Sequence, residues 1–172
     1  FAIELTDILS SLPYIELTAD LMHRVGVNVQ MNANRIQING SYNNNILSAG
    51  GDWSAASYFF ETAALADMAD ITIENLNSLS KQGDKVIAQM VKSFGVDTIV
   101  EKDKIILKKQ KNIIPDYFTH SFLHYPDIAL SMAAVCGGCD CKADLLHLHN
   151  LIIKESDRVS AFQREAYKLN IK

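Results

Sequence analysis

Several groups of residues in this chain have side chains capable of chemistry. Lys154-Glu155-Ser156-Asp157-Arg158 packs two cations and two further carboxylates beside one hydroxyl. Lys154 and Arg158 are four positions apart, so one helical turn would place both on one face. There Lys acts as a point charge and Arg as a two-pronged donor toward phosphate or carboxylate. By itself the string reads as an exposed, charged helix start. Asp127 follows Pro126 and, alone, reads as a helix N-cap. Ser11 precedes Leu12-Pro13-Tyr14 where a helix would open, and can cap it; Asp52 and Ser54 stand in the same relation to the next helix. Cys136, Cys139 and Cys141, with His147 or His149 as a fourth group, are the residue types of a zinc site. The competing reading is free thiols filling a small apolar space. Lys102, Lys104, Lys108, Lys109 and Lys111 read as the solvated face of a hairpin rather than a nucleic-acid patch.

These groups need a scaffold, and the sequence repeats a unit that could supply one. Amphipathic stretches end at Leu21–Val27, at Gln89–Val96 and at Glu165–Ile171. Each ending holds Gly26, Gly95 or Asn170, residues that tolerate the left-handed backbone closing a helix. After the first two stops come short alternating runs. Val29 and Met31 lead to Ile36 and Ile38 across Asn32-Ala33-Asn34, and Ile99 leads to Ile105 and Leu107 across Lys102-Asp103-Lys104. Alternation around a polar turn predicts hairpins. Ser54–Leu65 and Asp84–Phe94 carry helical spacing, and Ala69–Glu74 alternates as a strand. From about residue 47 the predicted order is strand, helix, strand, helix, strand, strand, a unit of about 60–70 residues. The predicted class is α+β, built from β-α-β-α-β-β repeats.

Composition limits the function classes. Hydrophobic residues make up 48% of the 172, enough for a core, and the net charge of −4 lacks the basic surplus of a nucleic-acid binder. No apolar run approaches the roughly 20 residues that span a bilayer. The first residues lack a basic start, a cleavage site and an initiator Met, so the chain is expected to begin inside a longer protein or to have been processed. Three cysteines within six positions make a poor disulfide framework, and a reducing cytoplasm is the expected location.

Three stretches together resemble the 5-enolpyruvylshikimate-3-phosphate synthase family of enolpyruvyl transferases. They are Ser11-Leu12-Pro13-Tyr14-Ile15-Glu16-Leu17-Thr18, Gly51-Asp52-Trp53-Ser54-Ala55-Ala56-Ser57-Tyr58-Phe59, and Asn150–Arg158 preceded by Tyr125-Pro126-Asp127. The Lys-Glu-Ser-Asp-Arg string is the most specific. The resemblance covers nearly the whole chain and corresponds to an internal part of a longer enzyme. It implies an α/β-prism fold of two similar domains. Residues 1–48 would be the last part of one domain. Residues 49–172 would be part of the other, with a complete repeat at 49–112 and an incomplete one at 113–172. Family members often carry Arg where Ile152 stands, and Gly137–Asp144 is less family-like.

The implied reaction moves the enolpyruvyl group of phosphoenolpyruvate onto the 5-hydroxyl of shikimate 3-phosphate, by addition and then elimination of phosphate. Two proton-transfer sites suffice, without metal or organic cofactor. By resemblance, Asp127, Lys154 and Glu155 are catalytic. Ser11, Tyr14, Asp127, Asn150 and Lys154 contact shikimate 3-phosphate, Arg158 holds phosphoenolpyruvate, and no metal is bound. Lys154 beside Glu155 would keep that carboxylate charged or relay its proton. Partners are the two small molecules, with no nucleic acid and no membrane. The whole enzyme is expected to be a monomer. The 172-residue chain alone is expected to be inactive and, with faces meant for absent units uncovered, to self-associate. Two readings compete. UDP-N-acetylglucosamine enolpyruvyl transferase shares the fold but lacks the Lys-Glu-Ser-Asp-Arg string. A non-catalytic repeat module would use the cysteine cluster to bind metal.

Overall fold

In a computed structural model describing residues 1–171, the chain divides into two compact units, Phe1–Ala49 and Gly50–Lys172. The first unit runs β1 (Ala2–Glu4), α1 (Leu12–Arg24), β2 (Asn28–Asn32) and β3 (Arg35–Asn39). Its sheet has the order β1-β3-β2, all antiparallel, with Val29 opposite Ile38 and Met31 opposite Ile36. The predicted hairpin is there, and its alternation puts Val29 and Ile36 in a small core with Val27 and Ala19. Gly26 closes α1 at φ 92°, a conformation that favours glycine.

The second unit continues with α2 (Trp53–Leu65), β4 (Ala69–Glu74), α3 (Ile87–Met90), β5 (Asp97–Val100), β6 (Lys104–Lys109), β7 (Tyr117–Ser121), α4 (Ile128–Gly138), β8 (Lys142–Leu146), α5 (His149–Ile152) and α6 (Arg158–Lys168). Strands β4-β6-β5 form an antiparallel sheet, and β7 and β8 pair in parallel. One core joins both halves of this unit. Phe60, Ala63 and Ala64 from α2 meet Ile105 and Leu107 from β6, Phe94, and Ile128, Met132 and Val135 from α4. Burying each large side chain stabilises the unit by about 1.5–3 kcal/mol. The α4 sequence, Ile-Ala-Leu-Ser-Met-Ala-Ala-Val-Cys-Gly-Gly, is apolar on every side, as a helix in a protein interior must be.

The structure departs from the sequence-based expectations in four places. Residues 41–52 form no strand. Instead Asn43 N–H donates to Val25 C=O (2.7 Å) and Asn45 Nδ2 to Arg24 C=O (2.5 Å), tying the segment back to the end of α1. Asp84–Phe94 is not one helix: Gly83–Val86 and Val91–Phe94 are 3₁₀ turns flanking α3. Gly83 and the β-branched Val86, Ile87 and Val91 give weak intrinsic helix preference. In β5 it is Thr98, opposite Leu107, that turns inward, while Ile99 is exposed. Finally, Lys109 is no part of a solvated face. It is 2% exposed, its ammonium donating to Ala64 C=O at 2.6 Å and Asn112 Oδ1 at 3.2 Å. It has the parity of Ile105 and Leu107, so the pleat that buries those two buries it as well.

Candidate active site

The site-bearing segments of the second unit hang on the carboxyl ends of the parallel pair β7 and β8. After β7 the chain turns through Tyr125 and Pro126 into α4, with Asp127 at its first turn. After β8 it makes the single turn α5, then a non-helical stretch over 153–157, before α6 begins at Arg158. Parallel strands of an open sheet characteristically deliver their functional loops at this end.

These two loops meet. Asp127 Oδ1 accepts from Lys154 Nζ at 2.7 Å and from Arg158 at 2.8 Å. The second arm of the Arg158 guanidinium donates to Glu155 Oε1 at 2.5 Å. The three side chains centred on Asp127 are each between 28% and 30% exposed, whereas Glu155 stands in solvent at 71%. Two carboxylates and two cations therefore form a chain of charge-assisted bonds at the rim of α4. The Asp127 side chain makes no cap hydrogen bond to α4. That role at α6 belongs to Asp157, which accepts from Ser160 N–H at 3.0 Å. The Ser160 hydroxyl adds 2.6 Å.

The grouping of Asp127 with Lys154 and Arg158 arises otherwise than their spacing implies. Lys154 precedes α6 and shares no helical face with Arg158; the non-helical turn at 153–157 lets both reach one oxygen. The ion pairs are also distributed differently. Lys154 serves Asp127, and it is Arg158 that serves Glu155. The Arg158 hydrogen bond, aided by a smaller attraction from Lys154, holds the Glu155 carboxyl below its ordinary range. The same partner raises the Arg158 guanidinium still further above neutrality. Asn150 lies on α5, half-buried, four residues before Lys154.

Ser11 and Tyr14 belong to the first unit. Ser11 precedes α1 with φ 55°, a left-handed conformation unusual for a residue with a side chain, and its hydroxyl makes no cap bond. Capping thus does not account for it, and backbone strain of this kind concentrates at functional positions. Tyr14 N–H donates to Ser11 C=O at 3.0 Å, closing the first turn.

Sequence reasoning missed a cleft of about 330 Å³ beside Asp127 and Arg158, whose walls include the polar residues Ser57, Glu61 and Asp84. Asp84 is fully buried and receives the Ser54 hydroxyl; Ser131 donates to Ser57 Oγ at 3.3 Å. Burial pushes the Glu61 carboxyl up, partly offset by a hydrogen bond from Ser131. The signal was present as Ser54, Ser57 and Glu61 at helical spacing on α2, and as Asp127 and Ser131 four apart on α4. Asp52, as its position implied, caps α2 by accepting from Ser54 N–H at 2.9 Å.

The thiols of Cys136 and Cys141 are buried and that of Cys139 half-buried. No group of three or more His, Cys, Asp or Glu among the described residues is arranged to hold a metal ion. No helix among them is long and apolar enough to cross a membrane.

Comparison with known proteins agrees with the resemblance. The chain is 33% identical over 170 residues to the 3-phosphoshikimate 1-carboxyvinyltransferase of Methanocaldococcus jannaschii, covering 96% of this chain and 38% of that protein. The enzyme of the same name from Methanococcus aeolicus is 33% identical over 180 residues, covering 99% and 40%. That of Bacteroides fragilis is 33% identical over 169 residues, covering 97% and 41%. The chain thus spans about two-fifths of the length of these relatives. In fold it matches the EPSP synthase of Acinetobacter baumannii with a TM-score of 0.64 over 95% of this chain and 38% of that one, at 19% identity. The family profile described as EPSP synthase (3-phosphoshikimate 1-carboxyvinyltransferase) matches residues 2–172, and the chain belongs to that family.

Proposed function

We propose that this chain forms part of a 3-phosphoshikimate 1-carboxyvinyltransferase, acting on shikimate 3-phosphate and phosphoenolpyruvate with release of phosphate. Residues 1–48 would be the last part of one domain and residues 49–172 part of the second. The observation that carries the reading is the convergence of Lys154 and Arg158 on Asp127, from the loop after the neighbouring strand.

In this reading Asp127 accepts the proton of the attacking 5-hydroxyl, and Glu155 with Lys154 manages the proton at C3 of the enolpyruvyl group. Ser11, Tyr14, Asn150 and Lys154 bind shikimate 3-phosphate, and Arg158 binds phosphoenolpyruvate. Both arms of the Arg158 fork are engaged by carboxylates, at 2.8 Å to Asp127 and 2.5 Å to Glu155. An incoming phosphate or carboxylate must therefore exchange with one of them. Glu155 is the partner to be displaced, being exposed and held by a single ion pair. Exchange would release its carboxylate next to the reacting carbons as substrate arrives. Lys154, already on Asp127, stabilises the charge of the base until the hydroxyl proton reaches it.

The test is phosphate release from the two substrates by the longer polypeptide that carries this segment, and by the 172-residue chain alone. Asp127→Ala or Glu155→Gln in the longer polypeptide should lower the rate by roughly 100- to 10,000-fold. The isolated chain should show no release above the buffer, because it spans only about two-fifths of the length of the relatives it matches. Near-normal rates in both variants would remove the proposed roles. Turnover by the isolated chain would remove the claim that it is an incomplete catalytic unit.

A further inference from the structure

The chain closes four helices or turns in the same way. At each, a residue with positive φ is flanked by a hydrogen bond that reaches back five positions: Val27 N–H to Met22 C=O (2.9 Å), Val96 to Val91 (3.3 Å), Cys141 to Cys136 (2.8 Å) and Ile171 to Ala166 (3.1 Å). The left-handed residues are Gly26 (φ 92°), Gly95 (82°), Asp140 (53°) and Asn170 (59°). This is the Schellman geometry, which brings the side chains at the two ends of the long hydrogen bond together in an apolar contact. In three of the four motifs the residues at the two ends are apolar: Met22 and Val27, Val91 and Val96, and Ala166 and Ile171. In the fourth they are two cysteines, Cys136 and Cys141.

A disulfide requires its two Cα atoms roughly 4.4–6.8 Å apart with the side chains turned toward each other. The backbone bond between Cys141 and Cys136 supplies an approach of that order. The Cys141 thiol donates to Pro115 C=O at 3.2 Å and Lys142 C=O at 3.4 Å, and it lies near enough to Cys136 for each thiol to perturb the other. Both are nearly buried, Cys136 at 3% and Cys141 at 8% exposed, and both border a cleft of about 920 Å³ walled by β8, the end of α4 and α6, from which a reagent would approach. The Cys139 thiol lies 4.0 Å from Ala64 C=O on α2.

We propose that Cys136 and Cys141 are a redox-modification site, converted to an intramolecular disulfide by a low-molecular-weight disulfide of the glutathione class while Cys139 stays a thiol. This stands independently of the catalytic reading above. In the first step Cys141 gives its proton to solvent, and its thiolate attacks one sulfur of the reagent. The reagent's S–S bond breaks, one thiolate leaves and is protonated, and a mixed disulfide remains on Cys141. In the second step Cys136 loses its proton to solvent and attacks the Cys141 sulfur, releasing the other half of the reagent as a thiol. Two protein thiols are oxidised and one reagent disulfide is reduced to two thiols. The order follows from the environment. Burial raises both thiols, Cys136 to about 12, while the hydrogen bond from Cys136 draws Cys141 back down. Cys141 is also the more exposed of the two, at 8% against 3%, and so meets the reagent first, while Cys136 resolves slowly. The product ties the end of α4 to the start of β8.

The experiment equilibrates the 172-residue chain in graded mixtures of reduced and oxidised glutathione, quenches with acid, alkylates the remaining thiols and maps the label by mass spectrometry. The expected product is about 2 Da lighter than the reduced chain, with label confined to Cys139. Its formation constant in native buffer should exceed that in concentrated urea by about tenfold or more, because the folded turn holds the pair together. Cys139→Ser should leave the product unchanged and Cys141→Ser should abolish it. A crosslink containing Cys139, glutathione adducts without internal closure, or a native constant no larger than the urea value would each overturn the proposal. The wild-type map alone decides it if a variant fails to fold.

Discussion

Asp127→Asn is the sharpest single perturbation of the candidate site. It removes one negative charge from between two cations while nearly preserving side-chain shape. Two charge-assisted hydrogen bonds end on that carboxylate, at 2.7 and 2.8 Å. A hydrogen bond to a charged group contributes about 1.5–3 kcal/mol when well shielded, and an ion pair in full solvent about 0–1 kcal/mol. With all three side chains slightly under one-third exposed, each bond falls between these limits, near 1 kcal/mol. The Asn carbonyl keeps one acceptor, so the net loss should be about 1–1.5 kcal/mol, or a fall in Tm of roughly 3–6 °C. Raising salt toward 1 M shortens the screening length to about 3 Å and should shrink the difference. The same substitution frees Lys154 and Arg158 of their shared carboxylate. If the proposed function holds, binding of phosphoenolpyruvate by the longer polypeptide, followed by calorimetry, should therefore strengthen even though the proposed base is gone. Urea titrations at low and high salt with calorimetry measure all three effects. Unchanged stability at low salt together with unchanged anion binding would show that the pairing does not govern the site.

Three further outcomes follow from other parts of the second unit. Asp52→Ala removes the α2 cap bond to Ser54 N–H (2.9 Å) and should cost about 1 kcal/mol in a urea titration. Lys109→Met keeps the stem but leaves Ala64 C=O and Asn112 Oδ1 without their buried donor, and should cost about 2–3 kcal/mol; an unaltered midpoint would mean that water replaces the ammonium. Because the Glu155 carboxyl is depressed in the folded state, its contribution is present above the ordinary carboxylate pKa of the unfolded chain and is lost as pH falls through the folded value. Glu155→Gln should therefore lower stability in the neutral region, flatten the acid limb of a stability–pH curve and converge with the unsubstituted chain at low pH, as thermal melts between pH 3 and 7 would reveal.

Periodic features were easy to read. The alternation of Val29, Met31, Ile36 and Ile38 specified a hairpin, because a slip of one residue would turn every apolar side chain to solvent. Gly26, Gly95 and Asn170 all take the left-handed conformation expected of helix stops. Reading failed where residue type and position point in opposite directions. Lys109 has the charge of a surface residue and the parity of a core one, and parity prevailed because Ala64 C=O and Asn112 lay within reach of its ammonium. Ile99 failed in the reverse sense: it is apolar, yet its place opposite Ile106 turns it outward. The Glu61 cleft escaped notice because its polar residues are scattered over α2, the turn at Asp84, α4 and α6, whose packing no local pattern records.

The sequence by itself determined the α+β class, the family, and the identity of the charged residues near the candidate site. Those depend on residue type and short-range spacing, which the chain carries without folding. Tertiary structure decided which charges pair. A salt bridge is set by the distance between side chains on separate loops, and the turn after α5, rather than a helical face, brings Lys154 and Arg158 onto Asp127. It also drew the backbone of Cys141 back onto that of Cys136, since their hydrogen bond depends on the left-handed turn at Asp140. Coulomb energy and desolvation both vary steeply over a few ångströms, and that separation exists only once β7, α4 and β8 have packed.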